Sequence, residues 1–247
     1  MKNYPIRFTQ DGLIFLGPED DCDTVVDIML DINYSEEFCV AFDWDPDFIV
    51  RLIKAGFLVM SEQIFVKDEK ENIAKRAIVL PKLHLVRSAL FFHELHIKKS
   101  VKRFLDRYEL LFDGDFETIV QKCIAVHGDF WLTPALLEAL CAIRSRRDAS
   151  VRPVSFGVYR DGKLVAGEFG VISGRVYTSY SGYHDEDNSG TVQMILMARY
   201  LEKAGFDFLD FGMPLDYKTG LGARNISPEN FVALFRAAQN TSGKNLL

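Results

Sequence analysis

The stretch VRPVSFGVYRDGKLVAGEFGVISGRVYTSYSGY, Val151 to Tyr183, decides the fold class. Before it the apolar residues recur at helical spacing; from Val151 the period becomes two. Three such runs, VRPVSFGVYR, LVAGEFGVI and RVYTSYSGY, are separated by DGK and SG, the residue types that tight turns demand. Three antiparallel strands follow from this spacing. Downstream, Asn188 or Ser189 starts a helix that runs to Ala204 and stops at Gly205. FDFLDFGMP then reads as a short aromatic strand, and SPENFVALFRAA as a closing helix.

Working outward toward the N-terminus, DFETIVQKCIAV places Phe116, Ile119, Val120, Cys123 and Ile124 on one helical face, with Asp115 as cap and Gly128 as stop. In WLTPALLEALCAIRSRR, Thr133 caps, Pro134 starts, and Arg144 to Arg147 suit a helix C-terminus. In DWDPDFIVRLIKAGF the same logic assigns Asp45, Pro46 and Gly56. SEQIFVKDEKENIAKRAIVLPKLH alternates short apolar runs with charges, as a hairpin or an interdomain link does. These readings predict an α+β protein: a small N-terminal α/β domain over 1–75 and a larger domain over 76–247. The order of elements in the larger part resembles the GNAT acyltransferase fold.

Among the 247 residues, 48% are hydrophobic, enough for a sizeable core. No apolar run approaches the ~20 residues of a membrane span, and MKNYPIRFTQDGLIF reads as a mature cytosolic start. Cys22, Cys39, Cys123 and Cys141 lack metal or disulfide spacing and fit reduced thiols. The net charge of -6 excludes an indiscriminate nucleic-acid coat, though not a local basic patch.

Such a patch is offered by LHIKKSVKRFLDR, which groups Lys98, Lys99, Lys102, Arg103 and Arg107. On a helix these form either a solvated face or a phosphate-backbone site. Trp131, just before a helix cap, reads as a core anchor or as a stacking surface for an unpaired base. His93 and His96 in HELH lack the spacing and further ligands of a zinc site, so no metal is expected. The junction SYSGYHDEDNSG sets Asp185, Glu186 and Asp187 before a helix start, where a phosphate would be repelled.

Six collinear segments complete the pattern: DWDPDFIVRLIKAGFLVMS, FFHELHIKKSVKRF, GDFWLTPALLEAL, DGKLVAGEFGVISGRVYTS, FLDFGMP and LGARNISPENF. In this order, from Asp43 to Phe231, the chain resembles the leucyl/phenylalanyl-tRNA–protein transferases. The resemblance implies transfer of an amino acid (Leu, Phe or Met) from aminoacyl-tRNA to the N-terminus of an acceptor protein, a mark for degradation. It implies a cytoplasmic, cofactor-free monomer with a GNAT-like C-terminal domain. Lys98, Lys99, Lys102 and Arg103 then match the family's tRNA-binding helix, Arg87 its N-terminal tRNA contact, and Trp131 the tryptophan that packs on the terminal adenosine. Where the family reads glycine-glutamate-serine the chain has Ser179, Tyr180 and Ser181; where it reads Asp-x-Gln the chain has Asp210, Phe211 and Gly212. Tyr180, Ser181, Asp210 and Gly212 are thus the candidate catalytic positions, with Asp210 the matched acid. Glu168 is either an exposed strand residue or, with the Asp185–Asp187 loop, a substitute anionic site for the acceptor. Two alternatives remain: a binding module without transfer, and a CoA-dependent N-acyltransferase.

Overall fold

The computed structural model describes residues 6–67, 73–146 and 150–239, so Arg147 of the expected basic helix end lies outside them. The protein is mixed α/β with two sheets. It divides into two compact units: Met1–Leu85 with Gly128–Ala149, and Val86–His127 with Ser150–Leu247. A single boundary near residue 75 is not what forms. Leu58–Lys67 and Ile73–Lys82 pair over their whole length, so the chain cannot part inside that hairpin.

The first unit has strands β1 (Arg7–Phe8), β2 (Ile14–Leu16), β3 (Cys39–Ala41), β4 (Leu58–Lys67) and β5 (Ile73–Lys82), in the order β1-β2-β3-β5-β4. Helices α1 (Cys22–Asp31) and α2 (Pro46–Lys54) connect them. Asp45 caps α2 by accepting from the Asp47 and Phe48 N–H groups, with Pro46 at the first helical position. The helix Pro134–Arg144, α5 in chain order, packs on α2 and buries Leu136, Leu140 and Ile143. Thr133 occupies its N-cap position without a side-chain cap bond; its N–H instead donates to Ser61 Oγ at 3.0 Å.

The second unit is built on a seven-stranded sheet. Its strands are β6 (Arg87–Leu90), β7 (Glu109–Phe112), β8 (Val151–Arg160), β9 (Lys163–Ser173), β10 (Val176–His184), β11 (Phe208–Gly212) and β12 (Arg224–Ile226). Their order is β12-β6-β11-β10-β9-β8-β7. The meander β8-β9-β10 is the one the alternation predicts, with Asp161 and Gly162 at φ 51° and 75° in the first turn. The helices are α3 (Lys99–Lys102), α4 (Phe116–His127), α6 (Ser189–Lys203), α7 (Asp216–Gly220) and α8 (Pro228–Gln239). Ile119 of α4 meets the sheet at Gly157 and Gly167, whereas Val192 and Ile195 of α6 pack with Val158 and Ala166. Adjacent strand residues face opposite sides, so α4 and α6 cover opposite faces. No helix among the described residues is long and apolar enough to cross a membrane.

Candidate functional site

Strands β10 and β11 run parallel for only three residue pairs, ending at Thr178 opposite Asp210. Beyond that point β10 continues beside β9 but bulges: Ser179 faces Gly170, Ser181 faces Phe169, and Tyr180 is the extra residue. On the other bank, β11 bulges at Phe211 against β6 and stops at Gly212. Each bulge bends its strand, and a wedge opens between them. The candidate catalytic positions Tyr180, Ser181, Asp210 and Gly212 therefore converge from two strands far apart in sequence.

Asp210 lies at the root of this wedge and is fully buried. Its Oδ1 accepts from Arg87 Nε at 2.8 Å and from the Gly212 N–H at 2.9 Å. Its Oδ2 accepts from Arg87 Nη2 at 2.6 Å and from Thr178 Oγ1 at 2.9 Å. Burial opposes ionisation, but the Arg87 charge and these donors outweigh it and hold the carboxyl below its usual range. A carboxylate offers about four acceptor sites, and all four are filled. The expected role of Asp210 as a base or amine anchor conflicts with this saturation.

Arg87, expected at the tRNA, is 1% exposed. Its guanidinium forks onto Asp210 and lies 4.3 Å from the centre of the Phe231 ring on α8. A phosphate cannot reach it there. Gly212, where the family carries glutamine, adopts φ 70°, a left-handed backbone that costs a side-chain-bearing residue ~1–2 kcal/mol.

Glu168 is not an exposed strand residue. It is 4% exposed on β9, on the α6 face of the sheet, where its Oε2 accepts from Gln193 Nε2 at 3.0 Å. The loop acids expected to help it are exposed or half-buried, and two of them are paired: Asp185 with Lys122 at 2.7 Å and Glu186 with Arg160 at 2.8 Å. Sequence reading missed Lys218 and Gln193 as part of this region. Gln193 left a signal, a polar residue inside the buried stripe of α6. Lys218 left none, because its burial depends on a turn closing over the end of β11.

The basic segment is not one long helix. It is the single turn α3, preceded by Lys98, followed by Arg103 and by a 3₁₀ turn at Leu105–Arg107. Lys98, Lys99, Lys102, Arg103 and Arg107 lie toward solvent, and Val101 and Leu105 anchor the segment in the core beside Leu221. Gly222 follows at φ 100°, and a Cβ there would sit 2.1 Å from the Glu94 carbonyl oxygen. The glycine of LGAR thus lets the loop approach the segment that leads into the basic turn, where the His96 N–H donates to the Leu221 carbonyl at 2.9 Å. In the first unit, Trp131 is half-buried, and its carbonyl accepts from Ser61 N at 3.0 Å and Ser61 Oγ at 2.9 Å. Its neighbour Phe130 is 70% exposed.

Comparison with known proteins gives these features a context. The chain is 34% identical over 150 residues to leucyl/phenylalanyl-tRNA–protein transferases of Pseudomonas putida (strain W619) and Pseudomonas entomophila (strain L48). Each match covers 59% of this chain and 65% of the relative, so the chain spans just under two thirds of the curated relatives it matches. Among solved structures, a GCN5-related N-acetyltransferase from Kribbella flavida aligns over 87% of this chain and 75% of its own, at 12% identity and a TM-score of 0.37. That similarity is too weak to support an argument. The family model for leucyl/phenylalanyl-tRNA protein transferase matches residues 89–236, more than half of the chain and all of the wedge beyond β6. The chain belongs to that family.

Proposed function

We propose that the protein transfers an amino acid (leucine, phenylalanine or methionine) from aminoacyl-tRNA to the N-terminus of an acceptor protein, without a cofactor, as a cytoplasmic monomer in N-degron tagging. The observation that carries this reading is the wedge between β10 and β11, bulged on both banks, inside the segment that matches the family. A parted parallel pair covered by a helix supports the GNAT-like reading of the second unit, and it leaves room for two chain ends to meet. Aminolysis of an activated ester gains much of its rate from holding amine and carbonyl together. The five cations around α3 have no ion-pair partner among the described residues and suit the phosphate backbone of the donor tRNA. Trp131, half-buried, is the stacking surface this reading assigns to the terminal adenine.

A second reading, a module that binds tRNA ends or N-termini without transfer, draws on Tyr180 and Gly212, which stand where the family has glutamate and glutamine. A CoA-dependent N-acyltransferase fits less well, since Asp185, Glu186 and Asp187 precede α6 at the place where a pyrophosphate would need donors. Labelled aminoacyl-tRNAs incubated with peptides bearing each N-terminal residue test the proposal. Transfer to a restricted set of N-termini is the expected result. Tight tRNA binding with no transfer to any peptide would favour the binding module.

A further inference from the structure

Asp210 is saturated and paired with a guanidinium, whereas the opposite face of the same wedge holds a second buried carboxylate, Glu168, with no ion pair among the described residues. Glu168 pairs across the sheet with Gly182 on β10, beyond the bulge. A Cβ on Gly182 would lie 3.2 Å from the Gly167 carbonyl oxygen and 3.6 Å from Glu168 Oε2, so a side chain at this position would crowd the carboxylate. Glu168 Oε2 accepts from Gln193, and the Ser179 and Tyr177 hydroxyls lie close enough to act on the carboxylate, but no ion pair holds it among the described residues. The Tyr177 hydroxyl, fully buried on this face, is turned toward the same carboxylate. A buried carboxylate that no cation pairs directly is disfavoured in a folded core unless the site needs its charge.

The other bank supplies a cation. Lys218, 7% exposed, donates from Nζ to the carbonyls of Phe211 at 2.7 Å and Met213 at 3.0 Å, at the end of β11. Two of its three donors are used. Glu168 and Asp210 favour its charge and Arg87 opposes it, and its own pull on the Glu168 carboxylate is smaller than that of the neighbouring polar groups. We propose that Glu168 is the base for aminoacyl transfer and that Lys218, held at the end of β11, is a positioning residue that favours its ionised form. This rests on the transferase reading above and names the reacting group within it.

The step balances within the substrates. The Glu168 carboxylate takes a proton from the attacking α-amine as its nitrogen bonds to the ester carbonyl carbon. The carbon–oxygen bond to the tRNA ribose then breaks, and the proton held on Glu168 passes to the departing ribose oxygen. Glu168 returns to its starting form, and no other reactant is needed. The surroundings of Glu168 suit a base, since burial raises its proton affinity while the neighbouring polar groups and the Lys218 charge draw it back. Tyr217 of α7 and Cys123 of α4 also feel its charge. A base is most effective when its affinity for the proton lies near the working pH, which an ordinary exposed carboxylate does not reach.

Single-turnover transfer from preloaded aminoacyl-tRNA, measured from acid to alkaline pH, tests the pair. E168Q is expected to lower the rate about 10²–10⁴-fold, with tRNA affinity kept and the acid limb of the pH profile gone. K218M is expected to move that limb to higher pH, because the ionised carboxylate loses its cation; K218R should move it back. A merely structural role for Lys218 would lower the melting temperature and leave the limb where it is, and that result overturns its assignment. An E168Q rate close to wild type overturns the assignment of Glu168 while leaving the transferase reading intact. A wild-type protein that transfers nothing with any donor and acceptor overturns both.

Discussion

Replacing Asp210 by asparagine separates a structural from a chemical role, and the structure sets the size of the effect. Asparagine keeps the volume but turns one acceptor oxygen into a donor. That donor would face Arg87 Nη2, which itself can only donate, and the Arg87 charge would remain at 1% exposure without a counterion. Breaking a buried pair by removing one partner costs about 3–5 kcal/mol, against a total stability of roughly 5–15 kcal/mol. For a protein of this size, each kcal/mol moves the melting temperature by about 2–4 °C, so D210N should melt roughly 6–20 °C lower.

The double variant R87M/D210L should recover part of that loss, because no lone charge stays buried, although Thr178 and the Gly212 N–H still lose their acceptor. Thermal melts of R87M, D210L and the double close the cycle, with transfer by each variant and by D210N measured well below its melting temperature. Activity lost in proportion to folded protein fits an anchor at the wedge root. The reasoning is refuted if D210N melts with wild type while transfer collapses, for then Asp210 reacts with substrate despite its four bonds.

The triple variant K99E/K102E/R103E should bind tRNA more weakly and flatten the plot of log affinity against log salt by about 2–3 units; an unchanged slope would remove α3 from the tRNA path. W131L should keep the Ser61 bonds, which go to the Trp131 main chain, while the Michaelis constant for aminoacyl-tRNA rises about tenfold, as for one lost stacked base; a melting temperature several degrees lower with normal tRNA binding would give the ring a packing role instead. G222A forces a Cβ against the Glu94 carbonyl at φ 100°, so it should lose more than ~1 kcal/mol and weaken tRNA binding as the basic turn shifts. Intact binding and stability in G222A would show that the loop has slack.

Local signals made the second unit largely legible. The alternation in Val151–Tyr183 and the turn residues Asp161, Gly162 and Gly174 act within a few residues of themselves, and the meander forms where they indicate. The unit boundaries were not legible, because the return of Gly128–Ala149 to the first unit depends on α5 finding α2, far earlier in the chain. The site was half-legible for the same reason. Asp210 stood out by motif, but Arg87, 123 residues away, cannot be seen from Asp210, and only the fold shows that the pair saturates itself. Glu168 looked exposed because charged residues are usually solvated, and only the fold shows α6 covering its face of the strand. Lys218 was hidden as an ordinary charge in a loop.

The two buried carboxylates of the wedge should leave opposite signatures in the pH dependence of stability. Asp210 has its folded-state pKa depressed, so its contribution is present above about pH 4, the unfolded value, and is lost as pH falls through the folded one. Glu168 has its folded-state pKa raised, so the wild type is best placed below about pH 4 and loses stability as pH rises through the folded value. Against wild type, D210N should therefore be destabilised at neutral pH and less so in acid. E168Q carries no charge to bury and should gain on wild type as pH rises, with Lys218 still held by its two carbonyls. Urea unfolding of the three proteins at a series of pH values reads both trends. A carboxylate retained at a net cost to folding is one kept for chemistry, whereas one that repays its burial is kept for structure. If E168Q instead loses stability on wild type at every pH, Glu168 belongs with Asp210 as a structural anchor, and the base for transfer has to be sought among the half-buried residues of the β10 bulge.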